Sequence, residues 1–255
     1  MSSRPSDQVL QHYLKRYNEA LELKQLKSST KHSKHLIQLE EWYQTQFKSR
    51  VSSSVNQIDN QHLKQDLIRL MQWKLARGKW RPRLEQLIAS NSPDSVMQSF
   101  MKAKQALMMT TETNNDDDSF EQAMKALCEL KGVGSATASA VLAAIKPNTC
   151  IFMSDEVFET LLPQDKVEYN LKTWFKLNQM ALTIINTDQS VWSSVEQLEQ
   201  ACWSFQLFKR FDKLDDQPDM TTIRSSKVKR KFSRDDKTTN NDNEPVKRVR
   251  RSTAK

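Results

Sequence analysis

The sequence predicts an all-α fold, and three observations carry that prediction. Apolar residues recur at helical spacing through most of the first 210 residues. No stretch alternates apolar and polar residues convincingly enough to read as a strand. Residues suited to helix starts, among them Pro82, Ser92, Asp94 and Ser154, stand just ahead of the periodic runs.

In chain order, residues 1–6 precede the first periodic run and are expected to fray. A helix over 7–27 follows from Leu10, Tyr13, Leu14, Tyr17 and Leu21, and Ser28-Ser29-Thr30 ends it. A second, over 33–47, places Leu36, Leu39, Trp42, Tyr43 and Phe47 on one broad face. Residues 52–60 are polar and read as a loop. A third helix spans 61–76 through Leu63, Leu67, Leu70 and Met71. Gly78 is placed to close it as a C′ residue, with Lys74 and Arg77 favourable at the negative end of the helix dipole.

Pro82 suits the first turn of a short helix carrying Leu84, Leu87 and Ile88. Ser92 or Asp94 caps the next, which runs through Val96, Phe100, Ala103 and Leu107. Residues 110–118 read as an acidic loop, and Asp118 with Glu121 forms a capping box for a helix over 119–130. The helix at 135–145 is small and apolar, which permits close helix–helix approach, and Lys146-Pro147-Asn148 ends it. Cys150-Ile151-Phe152-Met153 is too short to assign. Ser154 or Asp155 caps a helix with Val157, Phe158 and Leu161, and two last helices are expected at 166–185 and 191–208. Met101, Met108, Met109 and the tryptophans Trp42, Trp174, Trp192 and Trp203 are read as packing residues. The domain reading is therefore one all-α domain over 7–210 and a disordered basic tail over 211–255.

The chain is 37% hydrophobic, enough for a core, and its formal charge is +8. Residues 213–255 hold thirteen Lys/Arg against seven Asp/Glu, a net +6, which leaves +2 for residues 1–212. The basic character is thus mostly a property of the tail. Its two clusters, Lys227-Val228-Lys229-Arg230-Lys231 and Pro245 to Arg251, point to an import receptor and a nuclear location, or to nucleic-acid contacts. Cys128, Cys150 and Cys202 are widely spaced without a CxxC pair and read as reduced thiols of an intracellular protein. His12, His32, His35 and His62 lack metal-ligand spacing. No metal or cofactor is expected, and no apolar run approaches the ~20 residues of a membrane span.

Two of the three glycines stand in Leu130-Lys131-Gly132-Val133-Gly134-Ser135-Ala136-Thr137-Ala138. A chain this poor in glycine uses Gly-x-Gly where the backbone needs positive φ or where something approaches the main chain closely. At a helix start the first N–H groups are unpaired and the dipole end is positive, so a phosphate oxygen can sit against them. The candidate contacts are Lys131, Gly132, Val133, Gly134, Ser135 and Thr137. A plain tight turn between packed helices is the other reading. A second cluster holds Lys74, Arg77, Lys79, Arg81 and Arg83 among Trp73 and Trp80. It suits either a groove for a nucleic-acid backbone with a stacking aromatic, or solvated cations over two core tryptophans.

The run 130–142 resembles the hairpin signature L-P-G-V-G-x-x-T-A-x-x-V-L of the helix-hairpin-helix DNA glycosylase superfamily. That resemblance implies an all-α fold, backbone contacts to duplex DNA, and a catalytic Asp roughly twenty residues past the glycines. Asp155 holds that place in Met153-Ser154-Asp155-Glu156 if one residue is inserted within 146–150; without a gap the position falls on Ser154. The position of the Schiff-base lysine of bifunctional members is Ala136, so lyase chemistry by that route is not expected. Lys131 stands where the family often has Pro, and the four-cysteine iron–sulfur cluster of some members has no counterpart. The chain also resembles a eukaryotic group combining W-K-x-x-R-G-K with L-K-G-V-G-x-A-T-A, which implies no particular activity.

The expected function is DNA binding through the hairpin, related to base-excision repair. Two alternatives stand beside it. One is a monofunctional DNA N-glycosylase using Asp155, whose other role would be to cap its helix. The other is a nuclear interaction protein that keeps the fold without binding DNA.

Overall fold

The computed structural model describes residues 4–28, 32–53, 59–108 and 116–212. Among these residues every regular element is helical. The predicted tail at 211–255, apart from Phe211 and Asp212, and most of the predicted acidic loop lie outside them, as does Met109; Phe211 and Asp212 continue the last helix instead of opening the tail. None of the described helices is long and apolar enough to cross a membrane.

The first expected helix is two, α1 (Asp7–Leu14) and α2 (Tyr17–Lys27), broken at Lys15 and Arg16. The break lets Tyr13 meet Phe205 and Phe208 while Tyr17 meets Trp203. The second runs further than predicted. A 3-10 turn leads into α3 (Leu36–Trp42), then a π-helical turn at Tyr43–Phe47, then α4 (Lys48–Ser52). The π turn sets Tyr43 flat on Trp73, ring centroids 4.0 Å apart, with its hydroxyl donating to the Ala140 carbonyl at 2.8 Å.

Helix α5 (Asn60–Arg77) ends at Gly78, whose φ of −103° is not the left-handed C′ conformation predicted for it. Pro82 opens α6 (Pro82–Ala89) as expected. The Ser92 hydroxyl, not Asp94, caps α7 (Pro93–Met108) by accepting from the Ser95 N–H at 3.1 Å. Helix α8 (Asp116–Cys128) begins within the expected loop, so Asp118 lies inside it and forms no capping box. Helix α9 (Ser135–Ile145) matches its prediction and is buried along almost its whole length. Helix α10 (Asp155–Leu161) is capped by Ser154, which accepts from the Val157 N–H at 3.2 Å. The next helix starts late, because the Asn170 side chain accepts from the Thr173 N–H at 2.8 Å and opens α11 there (Leu171–Ile185). Helix α12 (Val195–Asp212) closes the described chain.

One core runs through the bundle. Trp73, Trp174 and Trp203 are among its largest fully buried side chains, and Trp42 and Trp192 are buried with them. Met101 and Met108 are exposed instead, contrary to their reading as packing residues. Helices α1 and α2 pack on α12, so the first helices of the chain meet the last described one. Helices α5, α7, α8 and α9 pack in succession.

The segment between α9 and α10 has no ladder partner, so side chains satisfy its backbone. Ser139 accepts from the Met153 N–H at 3.0 Å, Asn178 accepts from the Ile151 N–H at 2.9 Å, and Trp174 donates to the Ile151 carbonyl at 3.0 Å. This pinning fixes where Ser154 and Asp155 emerge.

Candidate nucleic-acid interface

Helices α8 and α9 are joined by a short turn at 129–134, and its two glycines serve different needs. Gly132 has φ +80°, and a Cβ there would stand 2.9 Å from the Leu87 Cβ. The turn is thus pressed onto α6 in a conformation that L side chains rarely adopt. Gly134 has φ −110°, open to any residue, and a Cβ on it would meet nothing within 4 Å. No internal packing or backbone angle requires glycine at 134. Its bare backbone faces open space at the start of α9, where no side chain caps the helix. Among the described residues the N–H groups of Ser135 and Ala136 meet no acceptor.

Asn91 holds the turn from the other side. Its side-chain carbonyl accepts from the Lys131 N–H at 2.9 Å and its amide donates to the Lys131 carbonyl at 3.0 Å. One side chain thereby completes both polar groups of one residue in the turn. Sequence reading passed over Asn91 because it lies 40 residues away and matches no motif.

A cleft of about 210 Å³ opens in front of the turn. Its walls are the end of α5 and the following loop (Lys74, Arg77, Gly78, Lys79, Arg81), the hairpin (Gly132, Gly134, Ser135, Ala136, Thr137), and Phe152 to Glu156. Tyr169, exposed in the loop before α11, stands at its edge. The structure thus brings both motifs singled out in the sequence to one place, together with Asp155.

The predicted contact residues do not all reach it. Lys131 is exposed but lines a separate polar groove with Asn91 and Ser95. Val133 is buried in the core, and Thr137 is 2% exposed, which leaves its hydroxyl little access. Arg77 is 2% exposed and cannot touch a phosphate from there. Its guanidinium donates to both Glu199 oxygens, at 2.8 and 3.2 Å, and lies 3.7 Å from Glu40. It also stacks near Trp203 and Trp73, 4.6 and 5.0 Å from the ring centroids. Charge alone could not reveal this, because the two carboxylates are distant in sequence. Trp73 is likewise core and donates its indole N–H to Glu40 at 2.7 Å. Trp80 is half-buried against His32, 5.1 Å between centroids.

The cations that remain at the cleft are Lys74, Lys79 and Arg81. Lys79 and Arg81 are exposed on the loop after α5, which Lys24 of α2 anchors by donating to the Gly78 carbonyl at 3.3 Å. Burial lowers the pKa of Lys24. The Lys79 ammonium lies 3.0 Å from Asp155, with side chains 70% and 13% exposed respectively. Because Ser154 caps α10, the Asp155 carboxylate is not engaged by the helix and lines the cleft. Lys74 is half-buried, and its pKa is pushed down to about 8, chiefly by burial, with Arg81 pushing the same way and Asp155 opposing.

No group of three or more His, Cys, Asp or Glu that could hold a metal ion occurs among the described residues. The chain matches no family model, no curated protein and no solved structure.

Proposed function

We propose that this protein binds duplex DNA by its phosphate backbone, with α8, the glycine turn and α9 acting as a helix-hairpin-helix of the glycosylase type. The observation that carries the reading is the bare N-terminus of α9. Gly134, Ser135 and Ala136 line a cleft with uncapped amides, and no internal need explains the glycine at 134. Unpaired amides at the positive end of a helix dipole form an anion site. Lys79 and Arg81 add two exposed cations beside it. Such contacts hold a duplex in register without reading its sequence.

Binding of a short duplex, followed by fluorescence anisotropy across a salt series, tests this. Gly134→Ala weakens binding while its thermal melt stays at the wild-type value. Replacing Lys79 and Arg81 together by Ala makes the plot of log affinity against log salt shallower by about 2. Wild-type affinity in the Gly134 variant would remove the hairpin from the interface.

One observation favours catalysis as a second reading. Ser154 performs the capping, which leaves the Asp155 carboxylate facing the cleft. A carboxylate there is placed to stabilise positive charge on a deoxyribose as its base departs, once the nucleotide is turned out of the stack. Under this reading Asp155→Asn abolishes base release from a panel of lesion duplexes and leaves binding intact. The basic blocks of the tail are proposed as nuclear import signals, which a reporter fused to residues 213–255 tests by its location in cells.

A further inference from the structure

We propose that Ser92 is phosphorylated by a proline-directed protein kinase, and that the polar groove beside the hairpin turn receives the phosphate and sets it against Lys131, weakening DNA binding. The effect on DNA rests on the binding reading above; the modification and its docking do not.

Of the seven prolines in the chain, only Pro93 follows a hydroxyl residue. The residue before a proline is held extended, the form in which a kinase cleft takes its substrate. Ser92 is exposed in the short link between α6 and α7. Its Oγ caps α7 by accepting from the Ser95 N–H, which leaves its own hydrogen to be replaced. Phosphorylation sets a charge of about −1.5 to −2 at the start of this 16-residue helix, where the dipole favours it.

The groove supplies what a phosphate needs. It encloses about 430 Å³, and Ser92, Gln98, Ser99, Glu129 and Lys131 are among its lining residues. Asn91 ties its two sides together, because its side chain bonds both polar groups of Lys131, at 2.9 and 3.0 Å, and Ser92 follows it directly. Ser99 is 3% exposed, and its hydroxyl takes part in no hydrogen bond among the described residues. A buried hydroxyl left without a partner calls for one from outside the fold. Lys131 is exposed, and its ammonium pairs with no carboxylate among the described residues. The acids nearby are already engaged. Glu129 pairs with Lys102 at 2.7 Å, and Asp94, in the first turn of α7, accepts from Asn60 at 2.7 Å. An unpaired cation and an unpartnered hydroxyl thus face an anion tethered at residue 92.

Lys131 also joins this groove to the DNA face. It adjoins Gly132, which lines the cleft with Gly134. A phosphate held there takes the cation and repels a strand lying on the turn.

In the transfer, the Ser92 Oγ forms its bond to the γ-phosphorus of ATP as the bond to the β–γ bridging oxygen breaks. ADP leaves with that electron pair, and the kinase's carboxylate takes the hydroxyl proton.

The test treats the full chain with a purified proline-directed kinase and MgATP. Ser92→Asn, which keeps a capping side chain, serves as the control. Mass spectrometry should find a phosphate on Ser92 and none at that position in the variant. Acetylation of lysine amines should then fall at least about threefold at Lys131 and stay unchanged at Lys172 on α11. At low salt the phosphorylated protein should bind a short duplex at least about tenfold more weakly than the unmodified one. An unmodified Ser92 overturns the proposal, as does unaltered labelling of Lys131 or equal duplex affinity of the two forms. If neither form binds the duplex, the DNA-binding reading falls and the effect on DNA with it, and Lys131 labelling alone decides the docking.

Discussion

At the residue scale, the two glycines of the turn differ in what the fold requires of them. Gly132 combines φ +80° with a Cβ position 2.9 Å from Leu87. Gly132→Ala therefore costs about 1–3 kcal/mol from backbone strain, before any shift of α6 to relieve the contact. Gly134 has neither constraint, so Gly134→Ala leaves stability within about 0.5 kcal/mol, and under the proposed function its effect is on DNA affinity. Urea unfolding of the two variants side by side checks the contrast. The spacing Gly-x-Gly shows that the turn is special and cannot show which glycine serves which purpose. That distinction comes from what surrounds each Cβ position, and Leu87 and Ile88 lie more than forty residues upstream.

At the element scale, the hairpin is held by groups outside it. Asn91, just past the end of α6, completes both polar groups of Lys131, and Tyr43 of the π turn donates to Ala140 on α9. Asn91→Ala leaves a backbone donor and acceptor of the turn without their partner, a loss of about 1–3 kcal/mol. Amide exchange at 130–134 should quicken in that variant more than exchange in α12. Helix α10 shows the same dependence. Its start was legible as Ser154 or Asp155, and the choice between them decides whether the Asp155 carboxylate is spent on the cap or turned to the cleft and Lys79. The pinning of Ile151 and Met153 by Asn178, Trp174 and Ser139 brings the segment to the hairpin, and no local pattern encodes that.

At the scale of the whole molecule, Arg77 joins α5 to α3 and α12 through two buried carboxylates. Two negative groups share one guanidinium, so one carboxylate is in excess. Burial and the Glu40 charge outweigh Arg77 and raise the Glu199 carboxyl from its usual 4.5 to about 7. A carboxyl raised in the folded state binds its proton more tightly there than in the unfolded chain. Its contribution to stability is complete below about pH 4.5 and is lost as pH rises through about 7. Urea unfolding from pH 5 to 8 should show this fall, and Glu199→Gln should flatten it. Arg77→Met leaves both carboxylates buried without their cation and should destabilise the fold by about 3–5 kcal/mol. The same node explains why Arg77 does not serve the cleft that Lys79 and Arg81 line.

The sequence by itself determined the helical class, the approximate place of most helices, the hairpin as the organising turn and the neighbourhood of Asp155. These rest on periodicity, capping chemistry and glycine scarcity, all local properties that act within a few residues. It did not determine the break at Lys15, the late start of α11 or the burial of Arg77 and Trp73, since each depends on a partner far along the chain. Tertiary structure alone decided that the basic stretch, the hairpin and Asp155 share one cleft, and which of the cations there are already engaged. Charge and spacing are written in the sequence, but whether a charged group meets solvent, a carboxylate or an apolar wall is set by packing.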